Sequence, residues 1–250
     1  MADERELIKK RFLELSERSY SSGIFTFTEF LGLAEQSLLR ECERLFASGY
    51  TLFGGAEGCE RVMARFGSEE ELGYSVDFPI VCIKAEPKSQ KFADKLTHRD
   101  FLGALLNLGI ERETLGDIAI IDNVGYIFAT EGIADFIISE LRTVKHTDVT
   151  LSLSEPPREA LSKTERRMIQ ANGERLDAVV AKVFSLSRDE AQLLFSRGLV
   201  FASGREISST SYVPKRDEII SVRGKGRFVY RGYETLSRKG KLNIAIDVYV

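Results

Sequence analysis

The 250-residue chain contains no tryptophan, two histidines, three cysteines and five prolines. Cys42, Cys59 and Cys82 are odd in number and form no C-x-x-C pair, so a disulfide framework is excluded and all three are predicted to be small buried residues. With His98 and His146 as the two imidazoles, a zinc site would need an unusual set of distant ligands. We therefore expect no metal and no cofactor.

Long apolar runs and a secretion signal are also missing. A membrane-spanning helix needs roughly 20 apolar residues in succession, whereas runs such as residues 118–121 are far shorter. The chain starts Met-Ala-Asp-Glu-Arg-Glu, which is acidic where a signal peptide is basic and then apolar. We expect a cytoplasmic protein that does not contact the membrane. With 43% hydrophobic and 29% charged residues, disordered, collagen-like and coiled-coil classes are excluded.

A strong net charge is missing as well, but the total conceals an uneven distribution. Thirty-five basic residues against 38 acidic ones give −3. Residues 1–157 hold 17 basic and 27 acidic residues, a net of −10, whereas residues 158–241 hold 18 and 10, a net of +8, and Asp247 completes the sum. Such asymmetry indicates a nucleic-acid-binding module joined to an acidic body. Charge clustered by chance on solvated faces is the alternative.

The first block, residues 1–75, is predicted to be an α/β domain. Apolar residues at helical spacing indicate a helix near the N-terminus and a second helix that begins after Thr28 and ends at Gly49. A strand at residues 50–53 then leads through a glycine-rich turn into a predicted helix at residues 62–66. The G-G-x-x-G spacing of that turn matches neither dinucleotide nor Walker patterns, so we interpret it as a tight turn.

The second block, residues 76–155, is predicted to run strand, helix, strand, strand, helix, strand. The strands are predicted at 78–85, 117–121, 125–130 and 148–153, and the helices at 98–108 and 132–142. This βαββαβ order is the ferredoxin-like arrangement of RNA-recognition-motif domains. Tyr126 and Phe128 share one face of the third strand, where such domains stack bases; packing in a core or interface is the alternative.

The third block, residues 165–250, follows a linker with paired prolines at 156–157. Arg175-Leu176-Asp177 opens a short helix to about residue 184. Ser187 to Glu190 forms a capping box for a second helix, which ends at Gly198. Strands at 199–201 and 218–222 complete a pattern of two short helices against a small basic sheet.

This string resembles the S-four-type (S4), αL-motif RNA-binding domain of a small-subunit ribosomal protein, pseudouridine synthases and tyrosyl-tRNA synthetases. The matching residues are R-L-D at 175–177, S-R at 187–188, Ala191, Gly198, Val200, Gly204, Asp217 and I-x-V at 220–222. Two departures lie in turns. Arg216 replaces the usual glycine before the aspartate, and Ala202-Ser203 replaces the usual Val-Asn.

Further strings extend the resemblance to the YlmH family over nearly the whole chain. They are residues 222–228, 237–241, 97–105, 116–118 and the glycine-rich turn, where Cys59 and Val62 depart from the usual Ala and Lys. The resemblance implies an N-terminal domain, a recognition-motif-like middle domain and an S-four-type C-terminal domain. It also implies binding to rRNA and tRNA on the large ribosomal subunit, in the handling of stalled subunits that carry peptidyl-tRNA.

The basic residues of the third block are the candidate RNA contacts. Lysine and arginine neutralise phosphates, and the planar arginine fork can also stack on a base. The expected target is structured RNA, whose shape matters more than its sequence. The candidates are Arg175, Lys182, Arg188, Gln192, Arg197, Arg205, Lys215, Arg223, Lys225 and Arg227, with His98, Arg99, Tyr126 and Phe128 as secondary candidates. Asp177 is interpreted as structural.

Two alternatives to a non-enzymatic, monomeric RNA-binding protein stay open. Pseudouridine synthases carry their catalytic aspartate in a G-R-L-D string followed by Thr and Gly, but here helix-core residues 178–181 follow Asp177. The sequence also has no G-x-S-x-G elbow and no convincing cofactor loop. The second alternative is a scaffold in septum assembly, because the family is encoded beside cell-division genes.

Overall fold

The computed structural model describes residues 2–157, 164–238 and 240–249. It divides the chain into two compact units, residues 1–162 and 163–250. The described elements combine α-helices with antiparallel sheets, so the predicted mixed α and β composition is confirmed. The predicted domains 1–75 and 76–155 both lie in the first unit, where each contains its own sheet, and the exact limits stay predictions.

The first sheet is small and covered by two helices. Its elements are α1 (Ala2–Ser22), β1 (Thr26–Phe27), α2 (Leu33–Cys42), β2 (Tyr50–Phe53), β3 (Met63–Phe66) and α3 (Glu69–Leu72). The strands pair antiparallel in the order β1-β3-β2. Phe12 of α1, Leu39 of α2 and Phe66 of β3 meet in the core beneath the helices.

The predicted helix at residues 62–66 is wrong, because this segment is the central strand β3. Ala64 pairs with Leu52 of β2, and Phe66 pairs with Thr26 of β1. Ala64 and Phe66 are completely buried. Pairing on both sides therefore overrides the local helical spacing of the apolar residues.

The predicted limits of the second helix are also wrong. The Thr28 hydroxyl accepts the Ala64 amide at 2.9 Å and so supports the sheet, while α2 starts five residues later. The helix ends at Cys42, well before Gly49, and the chain continues through a single 3₁₀ turn. This earlier end places the Phe46 ring against Phe66, with ring centroids 5.0 Å apart.

The second sheet of the first unit has its helices on one face. Its elements are β4 (Ile80–Pro87), α4 (His98–Asn107), β5 (Leu115–Ile121), β6 (Val124–Thr130), α5 (Glu131–Glu140), β7 (Thr143–Val144) and β8 (Thr147–Ser154). The strand order is β5-β6-β4-β8-β7. Thr97 and Asp100 form the predicted capping box, and left-handed Asp122 and Asn123 join β5 to β6. Phe101, Ile127 and other fully buried residues fill the space beneath α4 and α5.

The other face of this sheet packs against the glycine-rich turn and its neighbours. Phe128 and Cys82 form a buried cluster with Phe30 and Met63. A Cβ on Gly55, whose φ is +97°, would lie 2.4 Å from the Phe128 ring. The turn is glycine-rich because an aromatic ring occupies the space that a side chain would need.

A polar network fixes the same contact. The Asp117 carboxylate of β5 accepts the backbone amides of Glu60 and Arg61. The Arg61 guanidinium donates to the carbonyls of Leu115 and Phe30, both at 2.8 Å. Arg112 donates to the Leu115 carbonyl at 2.7 Å, and burial beside Arg61 lowers the pKa of Arg112 to about 10. Both arginines therefore serve the fold by satisfying buried carbonyls.

The second unit is a six-stranded sheet with two helices on one face, in the part of it that the structure describes. The elements are β9 (Thr164–Ala171), α6 (Leu176–Val183), α7 (Arg188–Ser196), β10 (Val200–Ala202), β11 (Arg205–Glu206), β12 (Glu218–Val222), β13 (Gly226–Leu236) and β14 (Leu242–Tyr249). The strand order is β11-β10-β12-β13-β14-β9. Leu176, Phe195, Phe228 and Ile244 meet in the core under the helices. The sequence analysis did not foresee β9, which pairs with β14 along eight residues.

We predict that Gly55→Ala lowers the free energy of unfolding by about 2–4 kcal/mol, because alanine adds backbone strain and overlaps the Phe128 ring. Urea unfolding of the full chain measures this. Gly132→Ala is the matched control: Gly132 lies in α5 with open space around it, so its replacement raises stability by up to about 1 kcal/mol. Equal effects of the two substitutions would contradict the packing account.

Candidate RNA interface

Helix α7 presents Arg188 at its first position. The Ser187 hydroxyl accepts the Glu190 amide at 3.2 Å, and the Glu190 carboxylate accepts the Ser187 amide at 2.8 Å, which completes the predicted capping box. These hydrogen bonds lower the pKa of Glu190. A cation in the first turn opposes the helix dipole, so Arg188 does not help to stabilise α7. Its side chain is exposed, as a ligand contact requires.

The turn between β12 and β13 lies beside this helix start. Gly224 and Gly226 have φ of +76° and +134°, which allows the chain to reverse within three residues. The Phe184 ring, which follows α6, packs against Phe228 with centroids 6.0 Å apart. The charge of Lys225 contributes to the lowered pKa of Glu190. The α6–α7 connection and the β12–β13 turn therefore meet at one end of the unit.

Six of the predicted cations gather at this end, and we name them the turn cluster. They are Lys182, Arg188, Arg197, Arg223, Lys225 and Arg227. Five are exposed, and Arg227 is half-buried. The amide of Arg223 donates to the Leu199 carbonyl at 2.9 Å, which brings the end of α7 to the same place. Gln192 is half-buried on α7 between these basic residues.

The turn cluster extends onto both faces of the sheet. Phe228 faces the helices, so Arg227 points to the opposite face, where its guanidinium lies 4.4 Å from the centre of the Tyr249 ring. The Arg223 guanidinium lies 6.0 Å from the centre of the Phe201 ring. Lys182 and Arg188 belong to the helical layer. A bound RNA would therefore follow the end of the sheet.

Three predicted contacts lie elsewhere. The backbone of Leu176 donates to the Tyr212 carbonyl at 2.7 Å, which places Arg175 beside the loop that carries Lys215. Both oxygens of Glu218 accept the Tyr212 hydroxyl, and burial together with this carboxylate raises the pKa of Tyr212 to about 12. Arg205 is near enough to lower that pKa. Glu218 starts β12, so this group is roughly 13 Å from the turn cluster along the strand.

Arg175 forms an ion pair with Asp177, which fits the structural role predicted for that aspartate. The guanidinium donates to both carboxylate oxygens, at 3.1 and 2.9 Å, and Asp177 also accepts the Ala178 amide at 2.9 Å. Asp177 is only 3% exposed. A buried carboxylate needs such a partner. The Arg175 guanidinium therefore stabilises the fold, which makes it a poor candidate for binding phosphate.

The first unit holds the secondary candidates, and Phe128 among them is wrong as an RNA contact. Its side chain is fully buried, because the elements around the glycine-rich turn cover that part of the sheet. Tyr126 on the same face is half-buried. His98 and Arg99 are exposed at the start of α4. Desolvation of the imidazole and the nearby Arg112 charge lower the pKa of His98.

The chain is similar to several known proteins. Residues 75–156 match a family described as "Putative RNA-binding domain in YlmH". The chain is 28% identical over 226 residues to "Ribosome-associated protein quality control protein P2" of Bacillus subtilis (strain 168), which covers 88% of this chain and 86% of that protein. The matched family model covers 82 of the 250 residues, and its description agrees with the resemblance of the sequence to the YlmH family.

A solved YlmH structure is also similar. It is "Cell division protein ylmH from Streptococcus pneumoniae", 21% identical to this chain, with a TM-score of 0.49 over 60% of this chain and 91% of that one.

Within residues 2–157, 164–238 and 240–249, no group of three or more His, Cys, Asp or Glu side chains is arranged to hold a metal ion. Across the same residues, no helix has both the length and the apolar character that crossing a bilayer requires.

The sequence analysis missed the network of Arg61, Arg112 and Asp117. Asp117 belongs to the family string at 116–118, and the glycine-rich turn is another of those strings. The structure brings the two strings together through the Asp117 carboxylate. Their joint presence in the family pattern was the available signal, but no local periodicity links residues 57 positions apart.

We predict that Asp177→Ala destabilises the protein by about 1–3 kcal/mol, because the charged hydrogen bonds of the half-exposed Arg175 are lost. Arg188→Ala should change stability by less than about 0.5 kcal/mol, since the side chain is exposed. Thermal and urea unfolding measure both changes. A comparable loss for Arg188→Ala would assign that arginine a structural role.

Proposed function

We propose that this chain is a member of the YlmH family and a non-enzymatic RNA-binding protein that acts on the ribosome. The observation that carries this proposal is the turn cluster, in which six basic side chains from four segments converge in the part of the chain with a net charge of +8. The similar Bacillus protein is named as ribosome-associated, and the matched family as RNA-binding. Both names support the same function.

We further propose that two known RNA-binding folds are present. The order β5-β6-β4-β8, with α4 and α5 as the connections on one face, supports a ferredoxin-like middle domain. Helices α6 and α7 against β10 and β12, with left-handed Ser203, Gly204 and Asp217 at the turns, support an S-four-type αL domain. Ser203 and Asp217 adopt positive φ at or beside the two positions where the chain departs from the αL pattern.

The proposed mechanism is electrostatic docking on structured RNA. Phosphates meeting the turn cluster release counterions, which supplies most of the affinity and makes it depend on salt. The backbone of an RNA duplex offers shape and 2′-hydroxyls, so cations at the end of the sheet recognise a structure more than a sequence. rRNA and tRNA on the large ribosomal subunit are the proposed partners, in the handling of stalled complexes by a cytoplasmic monomer.

The proposal that the protein is not an enzyme rests on Asp177. Pseudouridine synthases carry their catalytic aspartate in a similar string, and that carboxylate must reach a base. Here Asp177 is buried, and three hydrogen bonds from Arg175 and Ala178 occupy its oxygens. Such a carboxylate has a structural role and is not accessible to RNA.

Co-sedimentation of the full chain with ribosomal subunits across a salt series tests the docking proposal. We expect binding to weaken steeply as salt rises. Arg188→Ala should weaken it several-fold and reduce the slope of log affinity against log salt by about one. Arg18→Ala, an exposed arginine on α1 in the acidic unit, is the matched control and should leave both quantities unchanged. Binding that is indifferent to salt would overturn the proposal.

A separate experiment distinguishes binding from modification. The purified protein is incubated with rRNA and tRNA, and the nucleosides are analysed by mass spectrometry. We expect no new nucleoside. A new pseudouridine that forms only when this chain is present would show that the protein is an enzyme.

A further inference from the structure

Phe92 is the most exposed large apolar side chain among the residues that the structure describes, at 81%. It ends a 3₁₀ turn, Gln90–Phe92, in the connection between β4 and α4. Lys91 lies beside it, with the ammonium 5.6 Å from the ring centre. A single exposed apolar side chain is common on protein surfaces, so the meaning of Phe92 depends on what surrounds it.

The segment that carries Phe92 is fixed at both ends. The Lys88 amide donates to the Asp148 carbonyl at 2.9 Å. The Asp94 amide donates to the Thr147 hydroxyl at 2.8 Å, and the Asp94 carboxylate accepts the His146 amide at 3.2 Å. Phe92 is therefore exposed on a loop with a defined conformation. Because the loop is already ordered in the folded protein, binding a ligand there would cost little conformational entropy.

A second anchor holds the end of this loop next to α4. The Asn123 side chain accepts the Leu96 amide at 2.7 Å and donates to the Asp94 carbonyl at 2.9 Å. Leu96 is buried. The loop, the β5–β6 turn and the β7–β8 turn thus lie at the same end of the five-stranded sheet, where β4 ends.

This loop is basic within an acidic part of the chain. Residues 88–99 contain Lys88, Lys91, Lys95 and Arg99 against Asp94, a net of +3, whereas residues 1–157 carry −10. The four cations are exposed. The Asp94 carboxylate is directed at the backbone of the β7–β8 turn, so the cations dominate the charge that a ligand would meet.

The usual stacking surface of this domain is closed, because Phe128 is buried beneath the elements around the glycine-rich turn. An RNA contact within residues 75–156 must then lie outside that part of the sheet. We propose that Phe92 and its neighbouring lysines form a second RNA site that binds a single-stranded segment. A base stacks on the Phe92 ring, and Lys88, Lys91 and Lys95 meet the flanking phosphates. This inference rests on the proposed RNA-binding function but uses a surface separate from the turn cluster.

Single-stranded RNA fits this surface better than a duplex does. Stacking requires an unpaired base, and one exposed ring among flexible lysines tolerates any base. The lysines track the backbone as point charges, which gives affinity that depends on salt. An acidic peptide would meet the same charge, but it would gain little from a single ring that stands out of the surface.

The chain has no tryptophan, so Phe92→Trp places a unique fluorophore at the proposed stacking position. The full-length variant is titrated with a short single-stranded oligouridine RNA. Base stacking should quench the emission, and the quenching should weaken as salt rises. Phe136→Trp is the matched control, because Phe136 is 42% exposed on α5 of the same domain and lies beside Asp135. It should show no quenching.

Direct affinity measurements complete the test. Phe92→Ala should weaken binding of the oligouridine by about tenfold, and Phe92→Leu should weaken it similarly because leucine keeps the apolar area but has no ring. Phe136→Ala should have no effect. Equal quenching at positions 92 and 136, or unchanged affinity in Phe92→Ala, would overturn the inference. So would a change of the position-92 emission that depends on protein concentration without RNA, which would assign the loop to a protein contact.

The outcome separates the two proposals. If structured RNA binds with the salt dependence of the turn cluster while the position-92 fluorophore ignores oligouridine, the loop proposal fails and the docking proposal stands. If oligouridine quenches the position-92 fluorophore and Arg188→Ala leaves binding of structured RNA unchanged, the docking proposal fails. Absence of binding to either RNA would refute both.

Discussion

Phe128 sits where the two sheets of the first unit meet, and much of the structure depends on its burial. The ring contacts Phe30 and Met63, and Gly55 has no side chain because the ring occupies that space. Asp117 and Arg61 add hydrogen bonds around the same contact. The cost of separating these sheets would include exposure of a large aromatic cluster and loss of buried polar contacts. In the first unit, one face of the five-stranded sheet is therefore partly covered by the elements around the glycine-rich turn.

That closure bears on where RNA could contact the first unit. The base-stacking position that strand periodicity indicates is covered there, so the proposed contacts lie on a loop at one end of the strands. In the second unit, the proposed RNA contacts lie on more than one face. The turn cluster contains cations from α6, from both ends of α7, from the β12–β13 turn and from the start of β13, where segments distant in sequence meet. Arg188 illustrates the principle, since its place at a helix start does not stabilise α7 and leaves the side chain free to face a ligand.

The sequence predicted best those features that depend on local chemistry. Thr97 with Asp100 and Ser187 with Glu190 form the capping boxes, and Asp122-Asn123 forms the hairpin turn, because each needs only neighbouring residues. Strand β3 was mistaken for a helix because its two pairing partners are distant in sequence. Strand β9 was missed for the same reason: its exposed charged residues have no strand signal, and pairing with β14 determines its structure.

The candidate site shows the same limit. Charge counting and the αL string indicate which residues are candidates and in which part of the chain they lie. The sequence does not show which of these basic side chains are available to a ligand and which are held by the fold. Only packing shows that Arg175 is held by Asp177, that Arg227 lies over Tyr249, and that Phe128 is buried. Phe92 was overlooked because exposure of an aromatic residue is a property of the folded loop. In the sequence, the feature that indicates this loop is the group of three lysines, Lys88, Lys91 and Lys95, within an acidic part of the chain.

Cross-linking of the full chain to RNA by ultraviolet light, followed by mass spectrometry of the peptides, tests the central claim most directly. The claim is that RNA meets the turn cluster and the Phe92 loop and avoids the closed sheet face. We expect cross-linked peptides within residues 182–227 and 88–95. Cross-links concentrated on β4 and β6, around Cys82 and Phe128, would contradict the account, because they would require the two sheets of the first unit to separate.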